Sequence, residues 1–169
     1  MIPVTCRQIE VHLFRRRARR VEFLLIRRAP SRSLAGVWQP VTGGIEKGEA
    51  AYRAAAREVL EETGLTPIRW WALEHLTAFY EPARDAIAVV PVFAAEVLWT
   101  DPVHLSEEHD RYAYADAKTT ARRMLWDTQR RALAAVRTEV LTGGPNADAR
   151  EVTARINTPT PRPRRRARA

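Results

Sequence analysis

Gly43 to Leu65 reads GGIEKGEAAYRAAAREVLEETGL, and the fold is decided by how that stretch divides. Trp38 to Thr42 enters it as a short extended segment ending at Gly43-Gly44. Ala50 to Thr63 then has helical composition, with five Ala among Glu, Arg and Leu, and stops at Gly64, a residue suited to a left-handed C-terminal cap. On a wheel of about 100° per residue, Glu58, Glu61 and Glu62 fall within an arc of about 100°, flanked by Ala51, Ala54 and Ala55. Tyr52, Ala56, Val59 and Leu60 make the expected apolar stripe on another face. Arg53 and Arg57 lie beyond it, with Arg57 one turn before Glu61.

Three acids on a helix ordinarily form a solvated face. Here two effects oppose them. Carboxylates at i, i+3 and i+4 repel one another, and they crowd a helix C-terminus, where the macrodipole is already negative. Each effect costs a few tenths of a kcal/mol, up to roughly 1. A divalent cation turns the repulsion into ligation, and hard oxygen donors suit Mg²⁺ or Mn²⁺. The small Ala neighbours are expected to leave room for a substrate.

Outward from the helix, Val4 to Phe14 and Val21 to Arg27 read as strands, with the Arg15 to Arg20 run (RRRARR) as their hairpin loop. Ala29 to Val37 reads as a loop. Ile68 to Tyr80 and Ala86 to Val97 are strand-like, and Pro91 implies an edge strand or a bulge. Leu105 to Asp116 is mixed and polar. Ala117 to Leu141 reads as one long helix or two, closing at Gly143-Gly144-Pro145. Strands on both sides of a helix, followed by a final helix, imply an α/β sandwich.

The bulk properties are those of a soluble globular chain: 169 residues, 46% hydrophobic, 28% charged. The formal net charge of +8 is uneven, since residues 146–169 carry seven Arg against Asp148 and Glu151. Residues 1–145 are expected as the domain and 146–169 as a basic Pro/Arg-rich tail with little to bury. The single cysteine, Cys6, forms no internal disulfide, and neither a signal peptide nor a membrane span is evident, so a cytoplasmic location is expected. The two arginine-rich runs lack interleaved aromatics, so a nucleic-acid partner is not favoured.

The quoted segment resembles the box of the Nudix hydrolase family, G-x5-E-x7-R-E-U-x-E-E-x-G-U with U a bulky aliphatic residue. Gly43, Glu49, Arg57, Glu58, Val59, Glu61, Glu62, Gly64 and Leu65 fill every fixed position. The resemblance implies a Nudix α/β/α sandwich with a mixed sheet between helices, and a metal-assisted attack of water on a phosphoanhydride bond. It implies Glu58 and Glu62 as principal ligands of Mg²⁺ or Mn²⁺, with Glu61 assisting and the Gly43 carbonyl within reach. Arg57 is implied to steer these carboxylates, with Glu49 joining the network. The general base is implied to be Glu58 or Glu108.

The flanks VWQPVTGGIEKGE and EHDRYAYADA are similar to those of dATP and dihydroneopterin triphosphate pyrophosphohydrolases, with Tyr114 where Trp is usual. That likeness implies Glu108 as a further ligand, with Glu107 adjacent. It implies a small nucleoside triphosphate substrate yielding a monophosphate and pyrophosphate. The alternatives are a dinucleoside polyphosphate or 5′-capped RNA end as substrate, or a Nudix-fold nucleotide-binding module without catalysis. Trp38, Gln39 and Tyr114 are candidate substrate contacts. Trp70, Trp71, Phe79 and Tyr80 are aromatics expected mainly in the core, and His109 is expected to be structural.

Overall fold

The computed structural model describes residues 1–158. Eight strands form one mixed sheet, β1 (Val4–Thr5), β2 (Gln8–Arg17), β3 (Arg20–Arg28), β4 (Trp38–Gln39), β5 (Val41–Gly44), β6 (Arg69–Glu81), β7 (Ala86–Val97) and β8 (His109–Ala115). β6 lies at an edge, antiparallel to β7, and β7 runs parallel to β1 and β2. β2 is antiparallel to β3 and β5, and β3 is antiparallel to β4 and β8. The helices are α1 (Ala51–Thr63), α2 (Ala117–Arg123), α3 (Asp127–Val136), α4 (Pro145–Arg150) and α5 (Thr153–Asn157).

Alternation along the strands sends side chains into two cores, one on each face of the sheet. Ile9, Val11, Leu13, Leu24, Ile26, Phe93, Ala95 and Val97 meet Ala54, Ala55 and Val59 of α1. Phe14, Phe23, Leu25, Trp71, Val92 and Ala94 meet Ala132, Leu133 and Val136 of α3 on the other face. This is the expected α/β/α sandwich with its mixed sheet between helices. Among the described residues no helix is long and apolar enough to cross a membrane.

Three expectations are corrected. The RRRARR run is mostly strand, turning only at Ala18-Arg19, because its side chains find partners along the sheet. Arg15 bonds Glu22, Arg16 bonds Glu96, and Arg20 pairs with Glu22. Pro91 meets the second of its two expected settings: β7 is interior, and the partner strand β6 bulges between Ala72 and Leu76 just opposite. Polar Leu105 to Asp116 contains strand β8, whose alternation is masked because half of it faces solvent.

The third concerns residues 146–158, which are docked rather than a loose tail. Val152 N–H donates to the Trp70 carbonyl at 2.8 Å, and Trp70 N–H donates to Thr153 Oγ1 at 3.0 Å. Val152 and Ile156 pack on the first core, while Arg69 and Glu151 pair at 2.6 Å. The segment thus caps the outer edge of β6 with backbone bonds that composition does not announce. The rest of the expected tail, 159–169, lies outside the described residues.

Candidate active site

α1 ends as the sequence requires, with Gly64 at φ 67° closing the helix through its N–H to the Leu60 carbonyl. The face it buries differs from the expected stripe. Ala54, Ala55, Val59, Glu62 and Thr63 are buried, while Leu60 is 55% exposed. The alanines do not leave space for substrate. They let α1 lie close against the sheet, so that the face bearing Glu58 and Glu62 turns inward.

Gly43 shows how close that approach is. A Cβ there would stand 2.0 Å from Glu58 Cδ and 2.4 Å from its Oε1, so the glycine is the space into which the Glu58 carboxylate folds. Arg57 organises the acids around it. Its Nε donates to Glu49 Oε1 at 3.0 Å and its Nη2 to Glu49 Oε2 at 2.9 Å, a bidentate fork. Nη1 reaches Glu58 at 2.8 Å and Glu61 at 3.1 Å, and Nη2 also donates to the Gly44 carbonyl at 2.7 Å. These bonds, led by those to Glu49, hold the guanidinium more firmly protonated, and the Glu49 carboxyl falls below its usual range in return.

Glu62 lies outside this clamp. It is 6% exposed, and its Oε2 has no hydrogen-bond partner among the described residues. Burial, then the negative charge of Glu58 and Glu108, pushes its carboxyl up to about 8, against the opposing charge of Arg28 and with a further rise from Glu61. The 104–108 segment is tied to the end of α1 by His104 N–H to the Thr63 carbonyl (2.8 Å) and Ser106 N–H to the Glu62 carbonyl (3.2 Å). Glu108 is therefore the acid placed beside Glu62, whereas Glu107 is exposed. Glu108 pairs with Arg32 at 3.4 Å and is about half exposed.

Among the described residues no three His, Cys, Asp or Glu side chains are already drawn together as a finished ion cage. Arg57 holds Glu58 and Glu61 in its own fork instead. The donor set fits a hard divalent cation all the same, because a buried carboxylate oxygen beside other acids has no hydrogen-bond partner among the described residues. Arg28 and Arg32 are the residues sequence reasoning missed. They come from the loop-like RRAPSR stretch, where no spacing signals that β3 and its following turn face the acids across the site.

A family description, NUDIX domain, matches residues 7–136. The chain belongs to the Nudix family. It is 34% identical over 137 residues to an octanoyltransferase of Myxococcus xanthus, a match covering 78% of this chain but spanning 38% of that protein's length. It is 32% identical over 107 residues to the asymmetrical bis(5′-nucleosyl)-tetraphosphatase of Caenorhabditis elegans, covering 62% of this chain and 74% of that one. The dihydroneopterin triphosphate pyrophosphohydrolase of Escherichia coli superposes with a TM-score of 0.62 at 22% identity, over 83% of this chain and 97% of that one, a likeness of fold.

The remaining candidates divide. Trp38 of this Nudix chain packs on the second core, beside Met124 and under Arg123, on the face away from α1. Its pairing with Arg27 in β4 sets it on that face, half-buried. Gln39 is buried, with its amide on Thr42 Oγ1 at 3.2 Å. Tyr114 packs on the first core with the Arg15 guanidinium 3.7 Å from its ring centre, and burial pushes its hydroxyl up to about 12. Trp70 and Trp71 are core residues, while Phe79 and Tyr80 are exposed on β6. His109 is buried, with neither ring nitrogen hydrogen-bonded among the described residues, and burial followed by the charge of Arg28 lowers its pKa.

Proposed function

We propose that this chain hydrolyses a phosphoanhydride bond in a nucleoside polyphosphate, with Glu58, Glu61, Glu62 and Glu108 holding Mg²⁺ or Mn²⁺ and the Gly43 carbonyl at the same turn. The observation that carries this reading is the buried, unpartnered Glu62 carboxylate surrounded by three further acids within a complete Nudix box. When bound, such a cation offsets charge on phosphoryl oxygens and makes a water more acidic.

The chain's own residues do the rest. Arg57 fixes Glu58 and Glu61 and leaves Glu62 free to give up its proton. Among the described residues the Glu108 side chain rests on one long contact to Arg32, so of the two nominated bases it is the one less engaged and able to accept a proton from the attacking water. Glu58, folded under Gly43 and bonded to Arg57, is a positioning and ligating group. Arg28 and Arg32 supply the positive charge that opposes phosphate oxygens on the far side of the site.

Two substrate readings follow. The 32% identity to an asymmetrical bis(5′-nucleosyl)-tetraphosphatase supports a dinucleoside polyphosphate. The Val37–Glu49 and Glu108–Ala117 flanks support a nucleoside triphosphate cleaved to monophosphate and pyrophosphate. Chromatography of products from diadenosine tetraphosphate and dATP with Mg²⁺ tests both. A mononucleotide plus a nucleoside triphosphate from the first substrate supports the first reading, and pyrophosphate from dATP supports the second. Inertness toward both, and toward other nucleoside diphosphate derivatives, refutes catalysis and leaves a nucleotide-binding module.

A further inference from the structure

Residues 151–158 lie beyond the 7–136 stretch that the family description matches, and they tie two parts of the fold together as a strap. At one end the strap is fixed to β6. Glu151 bridges to Trp71, Val152 N–H donates to the Trp70 carbonyl, and Thr153 Oγ1 accepts from the Trp70 N–H. At the other end it lies on α1. Val152 and Ile156 pack on the same core as Tyr52 and Ala56 of that helix. Arg53 closes the contact, its Nη1 donating to the Ile156 carbonyl and its Nη2 to the Thr158 carbonyl. Those oxygens stand at the C-terminal end of α5, where the last carbonyls lack partners within the helix and an arginine can cap them.

The acids of the site occupy an arc of the helix that the strap holds. At about 100° per residue, Tyr52 and Ala56 stand on one side of the inward line through Ala55, Glu58 and Glu62, and Arg57 and Glu61 on the other. Arg57 grips its side through Glu49 and the Gly44 carbonyl. The strap grips the opposite side, with Arg53 reaching to it from the outer face. A roll of α1 about its axis strains one grip or the other. Side-chain tips lie about 5–6 Å from a helix axis, so a roll of about 10° moves a carboxylate by roughly 1 Å. Misplacement on that scale spoils a ligand or catalytic geometry. Glu58, folded into the space left by Gly43, has the least room for it. We propose that Arg53 is a positioning residue of the acidic site: by holding residues 151–158 on α1 it sets the roll of the helix, and with it where Glu58 and Glu62 point. The inference rests on the reading of those carboxylates as metal ligands.

The test follows free Mn²⁺ by electron paramagnetic resonance as the full chain is added, for the wild type, Arg53→Ala, Thr153→Val and the double variant. Arg53→Ala cuts the strap at its α1 end and Thr153→Val at its β6 end. Each is expected to bind Mn²⁺ about 3- to 30-fold more weakly, with circular dichroism unchanged. The double variant is expected to bind no more weakly than the weaker single variant, because both substitutions cut one connection. Arg53→Lys keeps the charge without the guanidinium fork, and its affinity is expected between those of the wild type and Arg53→Ala. A residue that only stabilises the fold would shift the melting temperature and leave Mn²⁺ affinity alone. Wild-type affinity in every folded variant, or losses that add in the double variant, would overturn the proposal. A wild type that leaves the Mn²⁺ signal untouched removes the metal reading itself, and this inference with it.

Discussion

Replacing Glu62 with Gln tests the idea that its carboxylate is stranded in the metal-free chain. The carboxyl sits at about 8 in the fold against an ordinary 4.5, chiefly through burial and then through Glu58 and Glu108. A folded-state pKa raised above the unfolded value means the folded state binds the extra proton. The stability from that proton is complete below the unfolded value and is lost as pH rises through the folded one. The window is thus about pH 4.5 to 8. At about 1.36 kcal/mol per pH unit, the loss across it is on the order of 5 kcal/mol. Gln keeps the shape and cannot ionise, so the variant lacks this slope. Urea unfolding with chelator present, at intervals from pH 5 to pH 8.5, measures it. The wild type should weaken by nearly one proton's worth per pH unit near neutrality, and Glu62→Gln should stay comparatively level, matching the wild type only at the acid end. Parallel curves for the two proteins would refute the reasoning, because they would mean that Glu62 is solvated or already paired.

Three other substitutions probe the supporting shell. Gly43→Ala should displace the Glu58 carboxylate that lies 2.0 Å from the new Cβ, lowering Mg²⁺-dependent kcat by about 100-fold while costing about 1–3 kcal/mol in stability; kinetics alongside thermal melts separates the two effects. Arg57→Lys keeps the charge but loses the fork to Glu49 and cannot also reach Glu58, Glu61 and the Gly44 carbonyl. It should cost roughly 1–3 kcal/mol by denaturant unfolding and weaken Mn²⁺ binding. Thr153→Val removes the acceptor for the Trp70 N–H and should cost about 1–3 kcal/mol by thermal unfolding; no loss would mean that residues 151–157 do not cap β6 in solution.

The site was legible where its chemistry is local. The box acids and Arg57 lie within one helix and the turn before it, so spacing alone brings them together. The pairing of Glu108 with Glu62 is longer in range, and it became visible through resemblance rather than periodicity. What stayed hidden is what depends on tertiary contacts. Leu60 and the alanines exchanged faces because the helix buries its small residues to approach Gly43, a preference that a hydrophobic wheel does not weigh. Trp38 precedes the box, and only the strand pairing shows that it lies on the α3 face. Residues 146–158 looked like tail because their anchoring is made by backbone bonds to β6 and by two aliphatic side chains, Val152 and Ile156. Arg28 and Arg32 carry no motif at all, and only the packing of β3 against the 104–108 segment brings them to the acids.

Manganese binding near pH 7.5 tests the central claim most directly, with free Mn²⁺ followed by electron paramagnetic resonance as protein is added. The wild type should deplete the free-ion signal and release protons as Glu62 ionises, and Glu62→Gln should bind roughly 10-fold or more weakly. Equal affinity in the two proteins, or no depletion by the wild type, would contradict it.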